Sequence, residues 1–164
     1  MVKRAYGSLT LEILRNRLSY DPMTGVFTWL HATARGRPGS VAGARHPGGY
    51  LNICINNKLY LSHRLAWFYV TGSWPPNKID HINCVRDDNR FSNLRLANDA
   101  ENSYNKKPLR RLKGAYCTGG KYWYSAISAG RRQIYLGSCA NEEEAHALYC
   151  AAARRYHGEF ANPE

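Results

Sequence analysis

Apolar positions recur along this chain at helical spacing in some stretches and alternate with polar ones in others. In SLTLEILRNRL (8–18), Leu9, Ile13, Leu14 and Leu18 follow a helical repeat, with Ser8 or Thr10 as cap. YDPMTGVFTW then predicts a turn around Pro22 and Gly25 that enters a strand of β-formers. Residues 31–49 hold five Gly, two Pro and three Arg, and read as a loop. YLNICINNKLYL alternates around Asn56-Asn57, a hairpin signal, and passes into a short helix over about 62–70. Gly72 and Pro75-Pro76 close that unit. Strands are expected at 79–82 and 94–97, and Asn98 or Asp99 caps a helix that runs through Asn105.

A second pattern begins near Leu109. Strand candidates at 112–117, 121–129 and 132–138 are separated by turns at Gly119-Gly120 and Gly130-Arg131. Asn141 and Glu144 then make a capping-box-like start. The helix that follows places Ala145, Leu148, Tyr149, Ala152 and Tyr156 on one face, and Gly158 ends it. The expected class is α+β, with domains at 1–108 and 109–164. The second is a three-stranded antiparallel sheet with one helix laid across it.

Charge narrows the choice of partner. Lys and Arg outnumber Asp and Glu by 23 to 12, a net +11, which favours a polyanion, nucleic acid before membrane. Hydrophobic residues at 44% argue against disorder. No apolar stretch approaches the ~20 residues of a membrane span, and the first residues lack the apolar core of a secretion signal. Cys54, Cys84, Cys117, Cys139 and Cys150 are scattered, without CxxC spacing. They fit small side chains in a reducing compartment better than a zinc site or a disulfide framework, so a cytoplasmic, soluble protein is expected.

The chemistry concentrates in IDHINCVRDDNRFSNLRLANDAENSYNKK. Asp80 and His81 are adjacent on an extended segment and point to opposite sides, so they can serve different partners. A carboxylate can hold a hard cation while an imidazole takes a proton from water, which together are the minimum for hydrolysing a phosphodiester. Asp80 on a strand and Asn102 on a helix can converge as oxygen ligands for Mg²⁺. Asn93 can bridge the intervening loop and hold it against His81.

Residues 63–105 (HRLAWFYVTGSWP…IDHIN…DNRFSNLRLANDAENSYN) resemble the HNH endonucleases of phages and mobile introns. That resemblance implies a ββα-metal core with His81 as general base, Asp80 as metal ligand and Asn93 as the central Asn. The last metal-ligand position falls on Asn102, so the chain resembles the H-N-N variant. An amide oxygen in place of an imidazole favours Mg²⁺ or Mn²⁺ over Zn²⁺. Asn105, one helical turn on, is a substitute or outer ligand.

Residues 112–160 resemble the AP2 DNA-binding domain, through LKGAY, KYWYSAI, YLGSC and NEEEAHALYCAAARRYHGEFAN. This implies a sheet that enters the major groove of double-stranded DNA. Lys113, Lys121, Trp123, Arg131, Arg132 and Gln133 offer phosphate and base-edge contacts. Tyr116 stands where that family usually has Arg after its Gly-Val pair, here Gly114-Ala115. Arg35, Arg37 and Arg45 of the loop are expected to meet phosphates. So are Arg90, Arg95 and the linker residues Lys106, Lys107, Arg110 and Arg111. The expected activity is a homing endonuclease that, as a monomer with one site, nicks one strand. Two other readings fit the same residues: a DNA-binding regulator with an inactive motif, and a nuclease without sequence preference.

Overall fold

The computed structural model describes residues 9–108, 111–130 and 132–162. It is a mixed α+β structure with several small sheets, in two compact units, Met1–Leu96 and Ala97–Glu164. The division falls inside a strand, upstream of the boundary at 108 read from the sequence. Cys54, Cys84, Cys117, Cys139 and Cys150 are all free thiols. Among the described residues no helix is long and apolar enough to cross a membrane.

The first unit begins with α1 (Leu11–Arg17), whose Thr10 cap accepts a hydrogen bond from the Ile13 amide. Leu18, expected to end that helix, instead starts a strand. β1 (Leu18–Asp21) pairs antiparallel with β2 (Val26–Trp29), and the pairing buries Leu18 and Tyr20 beside Phe27 and Trp29. Burial on alternate positions of a hairpin overrides the helical repeat that Leu18 also satisfies. The 31–49 loop is more ordered than its composition suggests. Its backbone is pinned along β2, with Trp29 donating to the Ser40 carbonyl and Ala42 to that of Phe27.

β3 (Ala44–Arg45), β4 (Leu51–Ile55) and β5 (Lys58–Leu61) form an antiparallel sheet. Asn56 and Asn57 both adopt positive φ, the geometry a two-residue hairpin turn requires and asparagine tolerates. α2 (Ser62–Thr71) follows directly and buries Leu65, Ala66 and Phe68. β6 (Lys78–His81) and β7 (Leu94–Ala97) form a two-stranded sheet. The core shared by these elements runs from Leu14 and Phe27 through Ile53, Ile55 and Leu65 to Ile79 and Leu94.

The second unit contains α3 (Asp99–Tyr104), with Asn98 and Glu101 forming a reciprocal capping box. β8 (Ala115–Thr118), β9 (Tyr122–Ala129) and β10 (Arg132–Cys139) make an antiparallel sheet with β9 in the middle. α4 (Glu142–His157) starts at the Asn141 cap and buries Ala145, Tyr149, Ala153 and His157. This stripe steps strictly by four residues, and it corrects the face expected from the sequence. Leu148 is 40% exposed, while Ala153 packs with Tyr149 on Ile127. Gly114 has positive φ, and a Cβ there would stand 2.1 Å from the Tyr149 ring, so helix and sheet meet closely at that point.

Candidate active site

β6 brings Asp80 and His81 into the first unit as neighbours, both buried at 6% and 5% exposure. Between β6 and β7 the chain makes a compact loop closed by Asn93. The Asn93 Oδ1 accepts from the Asn83 amide at 3.0 Å, and its Nδ2 donates to Asn83 Oδ1 at 2.9 Å and to the Asp88 carbonyl at 2.8 Å. One buried amide therefore ties both ends of the loop.

The loop delivers Asn89, 1% exposed, to the histidine. Asn89 donates through Nδ2 to the Asp87 carbonyl, which orients its Oδ1 as the acceptor for His81 Nε2–H at 3.4 Å. In that tautomer the basic lone pair lies on Nδ1. Burial holds the His81 imidazole below its ordinary pKa, and the Asn89 hydrogen bond and the charges of Asp80, Asp88 and Asp87 raise it only in part. The ring is thus a neutral base at pH 7.

A buttress from the start of the chain fixes Asn89. Tyr20 donates its hydroxyl to the Asn89 carbonyl at 2.7 Å, and the Phe91 amide donates to the Pro22 carbonyl at 3.0 Å. Gly25, at the β1–β2 turn, has φ +75°, and a Cβ there would lie 2.3 Å from the Arg90 amide nitrogen. The hairpin and the loop touch backbone to backbone.

His63, on the first turn of α2, stands edge-on to His81 with ring centroids 5.1 Å apart, and Tyr50 lies against both rings. His63 is 5% exposed, and its Nδ1 has no hydrogen-bond partner. Burial, then His81 and Arg64, push its pKa down to about 3, so it stays neutral. A histidine beside Arg64, Trp67 and Phe68 on a short helix reads as a core residue. It is buried, but in the shell of His81.

Each carboxylate here has an arginine. Asp80 Oδ2 accepts from Arg95 Nε at 2.9 Å and Nη2 at 2.8 Å. Asp87 pairs with Arg45, and Asp88 with Arg90 at 2.6 Å. The Arg90 side chain and the Asn83 amide hold the Asp88 carboxyl down to about 2.

Residues 60–104 match the HNH endonuclease family. They form an HNH endonuclease domain. The match covers the segment that holds His63, Asp80, His81, Asn89, Asn93 and Asn102. A protein of Acanthamoeba polyphaga mimivirus named "Uncharacterized HNH endonuclease L560" is 28% identical over 107 residues, which is 65% of this chain and 57% of that protein. The chain therefore spans little more than half the length of the relative it matches. No solved structure matches the chain.

The HNH domain crosses the boundary between the compact units. Asn102 lies in α3, whose anchors are in the second unit: the Tyr104 ring stacks on His157 at 3.8 Å, the Gly130 amide donates to its hydroxyl, and Asn162 Nδ2 donates to the Asn105 carbonyl. Asn105 is buried at 3%.

Among the described residues no group of three or more His, Cys, Asp or Glu is placed to hold a metal. The motif residues named from the sequence supply one carboxylate, Asp80, and one amide, Asn102. Oxygen donors of this kind fit a divalent cation that keeps waters and is completed by substrate phosphate.

The expected DNA contacts are dispersed. Arg35 and Arg37 are exposed, and Arg35 lines a cleft of about 230 Å³ with Arg17 and Asn57. Arg45 and Arg90 are exposed but paired with carboxylates, and Arg95 is turned inward onto Asp80. Lys106, Lys107, Lys121, Arg132 and Gln133 are exposed. Arg111 lies over the half-buried Trp123 ring at 5.4 Å. Lys113 is directed into its own unit, where Nζ donates to the Tyr104 and Asn162 carbonyls. Arg110 and Arg131 lie outside the described residues. The sequence reading did not anticipate the row formed by Tyr116, Tyr124 and Tyr135 across the three strands, with neighbouring centroids 5.3 and 6.1 Å apart.

Proposed function

We propose that the chain is a metal-dependent DNA endonuclease that hydrolyses phosphodiester bonds, with His81 as general base. The observation that carries this reading is the buried, neutral His81, set by Asn89 with its lone pair on Nδ1 and adjacent to Asp80. Nδ1 takes a proton from the attacking water, a role worth roughly 10²–10⁴ in rate. Asp80 holds Mg²⁺ or Mn²⁺, and motif order assigns Asn102 as its companion ligand. When bound, the cation polarises the phosphoryl group and stabilises the leaving oxygen. Asn93 keeps the loop closed, so that Asn89 stays against the imidazole.

The substrate of this reading is double-stranded DNA, held by the exposed Lys121, Arg132 and Gln133 of the AP2-like module and by Lys106, Lys107 and Arg111. Residues 109–138 hold six Lys or Arg and no acid, which supports an anionic partner on that segment. The protein acts as a monomer in the cytoplasm of the cell that carries its gene, a phage host included. A single active site cuts one strand, as a nicking homing endonuclease would.

The test is cleavage of supercoiled plasmid in Mg²⁺, Mn²⁺ or EDTA by wild type and His81→Ala. Metal-dependent open circles from the wild type alone support the assignment, and linear product would assign a dimeric cutter instead. Equal trace cleavage by both proteins overturns the catalytic role of His81. A binding competition between site-bearing and random duplexes separates a sequence-directed enzyme from a nonspecific one.

A further inference from the structure

Residues 80–88 contain three carboxylates, and each is paired with an arginine. The three pairs are not equivalent. The Arg45 and Arg90 side chains are 76% and 51% exposed, so they can leave Asp87 and Asp88 for another anion at small cost. Arg95 and Asp80 are 13% and 8% exposed, and two guanidinium nitrogens converge on the single oxygen Oδ2. A buried pair of this kind is weakly screened, and breaking it strands a charge.

We propose that Arg95 sets the metal affinity of this nuclease. Its guanidinium cancels the Asp80 charge, so that a divalent cation binds weakly until a nucleic-acid phosphate brings the missing negative charge. The inference rests on the reading of Asp80 as metal ligand. A cation of the Mg²⁺ type needs one or two carboxylates together with substrate phosphate. Here the one carboxylate is already neutralised, and a divalent ion at Asp80 stands within a few ångströms of a fixed positive charge. Removing that charge while keeping the side-chain stem leaves a buried anion whose natural counter-ion is the cation. Metal loading is thereby coupled to the arrival of DNA, and the free protein carries little reactive metal.

The experiment is Mn²⁺ titration of the full chain by calorimetry, without and with a short duplex of random sequence, alongside unfolding midpoints in EDTA and in Mn²⁺. Wild type, Arg95→Met, Arg95→Lys and Asp80→Asn are compared. Without DNA, Arg95→Met is expected to bind Mn²⁺ at least about tenfold more tightly than wild type, to unfold earlier in EDTA, and to gain more from Mn²⁺. Arg95→Lys, which keeps the charge, stays close to wild type. The duplex raises the Mn²⁺ affinity of wild type by a larger factor than that of Arg95→Met. If Asp80→Asn loses Mn²⁺ binding while Arg95→Met binds no more tightly than wild type, the role of Arg95 is overturned and Asp80 stands as ligand. If Asp80→Asn binds Mn²⁺ like wild type, the ligand reading fails and this inference with it. Should Arg95→Met not fold in EDTA, folding on addition of Mn²⁺ supports the proposal, and failure in both conditions refutes it.

Discussion

Replacing Asn93 with Ala removes three hydrogen bonds of 2.8–3.0 Å that tie Asn83 to Asp88 through one side chain, itself 7% exposed. A neutral hydrogen bond contributes about 1 kcal/mol net, and a partner left buried and unpaired costs about 1–3. Asn83 is exposed enough for water to replace part of the loss, whereas the Asp88 carbonyl loses its donor outright. The sum is about 2–3 kcal/mol. Because the loop is also held by Tyr20 and by the Phe91–Pro22 bond, the cost reaches the core of the first unit and is not confined to local fraying. Urea unfolding followed by tryptophan fluorescence, with Trp29, Trp67 and Trp74 in that unit, should show the midpoint moving down by roughly 1–2 M. Plasmid cleavage should fall by about 10²-fold, since Asn89 no longer fixes the tautomer of His81. Asn93→Asp keeps one acceptor but turns an oxygen towards Asn83 Oδ1 and the Asp88 carbonyl, so it should be no more stable than Asn93→Ala at neutral pH. A loss below about 0.5 kcal/mol with cleavage within about twofold of wild type would refute the bridging role.

The depressed Asp88 carboxyl gives the folded state a stability contribution that is present above the ordinary carboxylate range and is lost as pH falls from about 4 to about 2. Asp88→Asn should flatten acid unfolding in that window, and an unchanged acid profile would contradict the assignment. Gly25→Ala forces a Cβ against the Asn89–Arg90 backbone at positive φ. It should cost roughly 2–4 kcal/mol and slow cleavage, as measured by thermal unfolding and plasmid nicking. His63→Phe removes a buried, unpartnered nitrogen beside His81, so unfolding should need about 1 kcal/mol more, while cleavage falls. Wild-type cleavage with a less stable variant would return His63 to a packing role. Gly114→Ala meets the Tyr149 ring and should melt the second unit selectively, seen as loss of near-ultraviolet signal from Trp123 with the first unit intact.

What was legible in the sequence follows the range of the interactions involved. The Thr10 cap, the Asn56-Asn57 turn, the Asn98 cap with Glu101, and the end of α4 at Gly158 are decided by residues within a few positions of one another. The adjacent Asp80 and His81, with Asn93 and Asn102 at set intervals, carry the motif in the same local way. Leu18 and Leu148 misled because each satisfied a helical repeat that burial later contradicted: β1 took the first, and the four-residue ridge of α4 turned the second to solvent.

The order of chemical groups along the chain, its positive charge and the short elements that present those groups are properties of the sequence itself. Only the tertiary structure decided which groups meet. Asn89 reaches His81 because Tyr20, 69 residues away in sequence, holds its carbonyl. Arg95 spends its charge on Asp80 because β6 and β7 lie side by side. His63 joins the His81 imidazole because the first turn of α2 sets its ring edge-on to the end of β6. Such pairings depend on how a common core folds distant segments together, and no local pattern of apolar and polar residues encodes the partner of a single buried charge.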